Sequence, residues 1–299
     1  MEHNVKQRSK EWFDLRKSVC LTASKFGDAL GIGMGRPYDF FISMVTEDAE
    51  EDEDLEVEES SNTKHGLTME EIIGEAYQLL TGNQIRDTGF WSPQDKDLAE
   101  MIGASPDAVI LDPQDSRKDI GLCEFKAPIY RMYRPENSVK GIPRAYMAQI
   151  QGQLAVTGHK WCHFMAMCKN TKEVMLKRVE FAPEYWDHVM ELLKQFCYVL
   201  QDSQLRKELG QDPLDFEAVK KLQKWPMQRD FMPGELSIPV EDLLEQDSRG
   251  RYYGPAQRWM SFDFLIGQPY SLPPSLRCYG NTLISDVDQQ ICRKKQRVS

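Results

Sequence analysis

The chain has 299 residues, of which 41% are hydrophobic and 28% charged, a balance that excludes a disordered or fibrous chain. No apolar run approaches the roughly 20 residues needed to cross a bilayer, and the opening MEHNVKQRSKEW has no apolar secretory core, so an intracellular protein without a membrane partner is expected. The net charge of −10 argues against a nucleic-acid partner only until it is located: residues 47–59 (EDAEEDEDLEVEE) hold ten carboxylates, and the remainder carries 37 acidic against 37 basic side chains.

In chain order, Ser9 caps a first helix carrying Trp12, Leu15 and Arg16. A short second helix begins near Thr22 and stops at the glycines after residue 30, and residues 37–45 form a third, buried on its aromatic side. The acidic run at 47–63 reads as a flexible surface insertion, because its self-repulsion opposes burial. Residues 64–80 repeat Met69, Ile72, Ile73, Ala76 and Leu80 on one helical face, ended by Gly82 or Asn83. Short β-type stretches follow at 85–91, 100–111 and 120–126. A helix over 143–157 stops at Gly158, a hairpin spans 161–168 and 174–181, and an amphipathic helix covers 183–201. Helices, a strand meander, then helix and strands imply a mixed α/β (α+β) core. Residues 1–201 read as one domain. Residues 202–299, interrupted by eight prolines, read as an extension packed on it through Trp225, Tyr252, Tyr253, Trp259 and 262–265. The basic end RKKQRVS reads as a solvated tail. Seven scattered cysteines without a CxxC pair fit neither a disulfide framework nor a zinc site. They are expected as isolated reduced thiols packed as small hydrophobes.

Three segments carry chemistry together. Gly103-Ala-Ser-Pro-Asp107 feeds the apolar run Ala108–Leu111. Leu122-Cys-Glu124-Phe-Lys126-Ala-Pro128 sets Glu124 and Lys126 two apart, hence on one face of a strand. Phe125 then points into the core, leaving its carbonyl free to bind a metal. If the strands pair, two carboxylates and one ammonium converge, an expensive cluster without a purpose. Mg²⁺ resolves the conflict, because hard divalent cations take carboxylate, carbonyl and water oxygens, and phosphodiester hydrolysis needs such an ion beside an oriented water. Each piece alone is weak, since E-x-K is common on solvated strands. The combination is specific. Glu70 joins it from the 64–80 helix, flanked at i−4 and i+4 by Gly66 and Gly74, glycines that cost about 1 kcal/mol each relative to alanine and would let a metal or backbone approach. Gln149, near Gly152 and Gln153, lies on the polar side of its helix, opposite Met147, Ile150 and Leu154.

These pieces resemble, in order and spacing, the lambda-type exonuclease (YqaJ viral recombinase) family of PD-(D/E)xK nucleases. The matching residues are Glu11-Trp-Phe-Asp-Leu-Arg16, Leu21-Thr-Ala-Ser24, His65-Gly-Leu-Thr-Met-Glu70 with Ala76-Tyr77, Gly103-Ala-Ser-Pro-Asp107, Glu124-Phe-Lys126-Ala-Pro128, and Ala145-Tyr-Met-Ala-Gln149-Ile-Gln151 with Val156-Thr-Gly158. The resemblance implies a restriction-endonuclease-like fold, a central mixed sheet flanked by helices. It implies a two-metal site using Mg²⁺, with Mn²⁺ as substitute: Asp107 and Glu124 as ligands with the Phe125 carbonyl, Glu70 on the side of the second ion, Lys126 assisting the water and Gln149 positioning the lysine or phosphate. Arg16 and Ser24 are then the residues that hold a duplex 5′-phosphate, a task suited to the guanidinium fork. It further implies a Mg²⁺-dependent 5′→3′ exonuclease on double-stranded DNA in recombination or repair, a toroid of three subunits and a single-strand annealing protein as partner. The alternatives are a PD-(D/E)xK endonuclease cutting internally and a non-catalytic DNA-binding protein. Ala127 departs from the family's usual cysteine, the acidic insertion precedes the Glu70 helix, and the last hundred residues have no counterpart.

Overall fold

The computed structural model describes residues 1–46, 61–134, 138–225 and 227–267, with backbone alone for 61–68. Residues 47–60 of the acidic insertion and the basic C-terminal stretch lie outside these residues, and 61–63 are not a loop but helical backbone opening the helix that carries Glu70. Six strands form the central sheet: β1 (Ile85–Asp87), β2 (Ala108–Leu111), β3 (Asp119–Lys126), β4 (Trp161–Cys168), β5 (Glu173–Glu180) and β6 (Val240–Asp242). They lie side by side in chain order. Every pairing is antiparallel except β3 with β4, the mixed sheet expected of a restriction-endonuclease-like core. The parallel pair requires a crossover, supplied by the helix Arg144–Thr157.

Among the described residues the helices around the sheet include α1 (Lys10–Lys17), α2 (Phe26–Ala29), α3 (Pro37–Thr46), α4 (Ser61–Thr81), α5 (Arg144–Thr157) and α6 (Pro183–Glu208). Local chemistry sets their ends. The Ser9 side chain accepts from the Trp12 N–H, and Gly158 closes α5 at φ 81°, the left-handed conformation that glycine adopts without penalty. Because side chains alternate across a strand, β3 sends Leu122 into the layer of α2, α3, α5 and α6, and Cys123 and Phe125 into the layer of α4. Tyr252, Met260, Phe262 and Leu265 complete the α4 layer.

Several expected stretches divide. Residues 85–91 break at Thr88-Gly89, and Phe90–Trp91 leaves the sheet to pair with Glu2–His3. Residues 100–111 break between Ile102–Gly103 and β2. A Cβ on Gly103 would lie 2.1 Å from the Phe90 ring, so the chain bends there on a glycine. Helix α6 runs beyond 201 to Glu208, as the helix-forming run Asp202–Glu208 allows, and stops before Gly210 at φ 70°. Past it, β6 joins the sheet edge, and Arg144 at the start of α5 forms a buried ion pair with Glu235. Trp225 is partly buried and Tyr252 fully so, whereas Trp259 stays 43% exposed against Tyr253 and Arg251. Among the described residues no helix is long and apolar enough to cross a membrane.

Candidate active site at the end of strands β2 and β3

The ladder between β2 and β3 ends at Ala108 opposite Cys123. The next residues outward are Asp107 and Glu124, so termination of pairing brings two acidic side chains together. Asp107 Oδ2 accepts the Phe125 N–H at 2.5 Å. This bond anchors the Ser-Pro-Asp turn to the strand carrying Glu124 and Lys126. Lys126 Nζ bonds Glu124 Oε1 and lies 5.0 Å from the centroid of the Tyr146 ring, a cation–π geometry. Two α5 amides grip the same carboxylate: Gln149 Nε2 donates to Oε1 at 2.6 Å, and Gln153 Nε2 donates to Oε2 at 2.6 Å. Glu124 is 1% exposed.

The electrostatics show what this assembly lacks. Burial, reinforced by repulsion from Glu124 and Glu70, pushes the Asp107 carboxyl well above the ordinary range. Burial likewise raises Glu70, with Arg8 opposing and Glu124 adding to the rise. Burial works against the Lys126 charge, yet Glu124 and Asp107 outweigh it and hold the ammonium above its usual value. One lysine thus faces three carboxylates, and a divalent cation would relieve the excess. Among the described residues no group of three or more His, Cys, Asp or Glu side chains stands close enough to hold a metal. Mg²⁺ does not require one, because one or two carboxylates with waters and substrate phosphate suffice. Asp107, Glu124 and the Phe125 carbonyl fit that pattern, while the Phe125 ring packs at Tyr77 in the α4 layer.

Glu70 falls within electrostatic reach of Glu124 and Lys126. The glycine below it does something other than admit a metal. A Cβ on Gly74 would meet Ile85 and Phe125 at 3.5 and 3.6 Å, ordinary contact with core side chains. The side of Gly66 lies outside the described residues. Nor is the polar side of α5 a solvent face. Gln149, Gln151 and Gln153 are all buried, because α5 is sandwiched between the sheet and the α2/α6 layer. Close packing is built in at Gly152, where a Cβ would stand 2.3 Å from Phe26.

A second cluster adjoins the first. Arg16 Nη2 donates to Thr22 Oγ1 at 3.2 Å and Ser24 Oγ at 3.4 Å, and its guanidinium carbon lies 4.4 Å from the centroid of the Trp12 ring. The Arg16/Ser24 pair therefore converges, with Thr22 as a partner that sequence reasoning missed although it stands inside the quoted Leu-Thr-Ala-Ser. Two links tie this cluster to Asp107: Thr22 pairs with Gly103, and Trp12 Nε1 donates to Ser105 Oγ at 2.9 Å. Cys123, Cys162, Cys168 and Cys197 are buried free thiols, and Cys20 is a partly buried one.

Two carboxylates and a lysine thus meet at one end of a mixed sheet of restriction-endonuclease-like fold. The chain belongs to the YqaJ-like viral recombinase family, whose model matches residues 11–160. Solved structures similar to it include the alkaline exonuclease LHK-Exo of Laribacter hongkongensis and the same enzyme in complex with dAMP. Each is 20% identical with a TM-score of 0.50, matched over 68% of this chain and 98% of that one, a likeness of fold. No curated protein matches the chain.

Proposed function

We propose that this protein is a divalent-metal-dependent DNA exonuclease that degrades one strand of duplex DNA 5′→3′ from a 5′-phosphorylated end. The observation that carries the reading is the meeting of Asp107, Glu124 and Lys126 where the β2–β3 ladder stops. Asp107, Glu124 and the Phe125 carbonyl would hold Mg²⁺, with Mn²⁺ as substitute and Glu70 on the side of a second ion. When bound, the metal supplies polarisation of the scissile phosphate and acidification of a water. Lys126 carries its proton in the arrangement described, so it serves as a donor that orients the attacking water or the phosphate oxygen. Gln149 fixes the carboxylate to which Lys126 is bonded, and thereby the lysine.

Exonuclease mode is favoured by the second cluster. Arg16, steadied by Trp12, points its guanidinium at two hydroxyls, an anion-binding group that a terminal phosphate would complete. The family resemblance adds a trimeric toroid and a single-strand annealing partner to the proposal. The nuclease unit is assigned to residues 1–201, with residues 202–299 as an extension that has no counterpart in the family. The test is an Mg²⁺-dependent digestion of end-labelled linear duplex, with and without a 5′-phosphate, beside a closed circle. Release of 5′-terminal nucleotides from the phosphorylated end supports the reading, and cutting of the circle would establish an endonuclease instead.

A further inference from the structure

Gln151 and Gln153 are both wholly buried on α5, and they use their amides differently. Gln151 engages both ends: Nε2 donates to the Glu180 carbonyl and Oε1 accepts the Ala182 N–H, each at 2.8 Å. That amide ties α5 to the start of α6 and serves the fold. Gln153 engages only Nε2, on Glu124, and its buried Oε1 has no partner among the described residues. A buried acceptor left unmatched opposes folding, so packing alone does not account for an amide at this position. The amide cannot turn over, because Oε1 would then face a carboxylate oxygen. What Gln153 achieves is local to Glu124. Oε1 of that carboxylate receives both Gln149 and Lys126, whereas Oε2 receives Gln153 alone and keeps the more open valence.

We propose that Gln153 is a positioning residue that fixes the rotation of the Glu124 carboxylate and so presents Oε2 to the divalent cation. The inference rests on the reading of Glu124 as a metal ligand given above. Groups that orient metal ligands from behind typically change metal affinity about 10- to 100-fold when removed. The decisive variant is Gln153→Met, which keeps the volume and deletes the amide. Three quantities are read: the melting temperature in EDTA, Mn²⁺ binding by calorimetry without DNA, and kcat and KM on phosphorylated duplex. The expected outcome is a melting temperature in EDTA that is little changed or lower, since the unmatched Gln153 Oε1 is removed but Glu124 Oε2 loses its donor, together with Mn²⁺ binding weakened about 10-fold or more and a lower kcat at unchanged KM for DNA. Raising Mn²⁺ should restore part of the rate.

A fall in melting temperature in EDTA with wild-type Mn²⁺ affinity would make Gln153 a structural residue and overturn the proposal. Wild-type affinity and rate in a stable variant would overturn it as well. Should Gln153→Met not fold, Gln153→Asn retains an amide but withdraws it by one carbon, and the same Mn²⁺ comparison decides. If the wild-type protein itself binds no Mn²⁺, the metal reading of the whole site fails, a result distinct from failure at Gln153 alone.

Discussion

Arg144 and Glu235 offer the sharpest test of how the residues after α6 are attached to the helix that carries Gln149. The guanidinium meets the carboxylate in a bidentate pair, Nε to Oε1 at 2.6 Å and Nη2 to Oε2 at 2.7 Å, and also donates to the Gln228 and Asp230 carbonyls. Glu235 is fully buried and accepts the Met232 N–H besides. Arg144→Met leaves a buried carboxylate with one backbone donor. Stranding a buried charge in this way costs about 3–5 kcal/mol, a large part of the roughly 5–15 kcal/mol by which a domain is stable. Glu235→Leu strands the guanidinium, which keeps two carbonyls and the Phe231 ring at 5.0 Å, so its cost should fall at the lower end. The double variant removes both charges and their desolvation penalty together. It should cost about as much as one single variant, a coupling of about 3 kcal/mol in a double-mutant cycle. Urea unfolding followed by circular dichroism measures all four proteins. A loss below about 1 kcal/mol for Arg144→Met, the level of an exposed pair, would show that the clamp is open to water.

At the site, Asp107→Ala and Lys126→Ala should abolish cleavage while circular dichroism stays native. Arg16→Ala should reduce the rate advantage of 5′-phosphorylated over hydroxyl ends by about 10- to 100-fold, the worth of a hydrogen bond to a charged group, and an unchanged ratio in a competition digest would remove the phosphate role. His163 predicts a pH effect on stability. Burial, aided by Arg178, lowers its pKa to about 3, while Tyr77 Oη and His163 Nδ1 lie 2.7 Å apart in a hydrogen bond. The folded value lies below the unfolded one of about 6.5, so its contribution is complete above that pH and is lost as pH falls toward 3. The loss should reach about 2 kcal/mol at pH 5. His163→Gln should flatten the urea midpoint between pH 8 and pH 5, and equal slopes in the two proteins would refute the assignment.

Much of this arrangement was legible in the sequence because its determinants are local. Ser9 and Gly158 mark helix ends by their own chemistry, and the alternation in Leu122–Lys126 dictates which side chains share a face. The meeting of Asp107 with Glu124 and Lys126 follows from two neighbouring strands and one turn. Gln153 and Thr22 were hidden for another reason. Helical periodicity assigns Gln149 and Gln153 to a polar face, and a polar face ordinarily means water. Here α5 has no such face, because the sheet covers one side and Phe26 closes on Gly152 from the other. Only tertiary packing turns a solvated stripe into a pair of ligands for a buried carboxylate. Gly74 misleads in the opposite sense: its missing side chain reads as an opening toward Glu70, and it faces the core side chains Ile85 and Phe125 instead.

The two clusters are related by more than proximity. Asp107 stands on a turn whose preceding residues are held from the other cluster: Gly103 by the Thr22 strand pairing and Ser105 by the Trp12 indole. The same Trp12 stacks on Arg16, so one aromatic side chain touches both the arginine proposed to hold the phosphate and the turn bearing the metal-ligand candidate. Gln7 adds a third tie, donating to the Pro106 carbonyl at 2.8 Å. On the proposed reading, a chain end gripped at Arg16 would be measured against Asp107 through short, hydrogen-bonded backbone. Reading an end requires a fixed interval between the held phosphate and the cut bond, since a misplacement of about 1 Å can cost about 100-fold in rate. The polar residues around the Ser-Pro-Asp turn supply that rigidity on a segment which, judged by pairing alone, is the frayed end of a ladder.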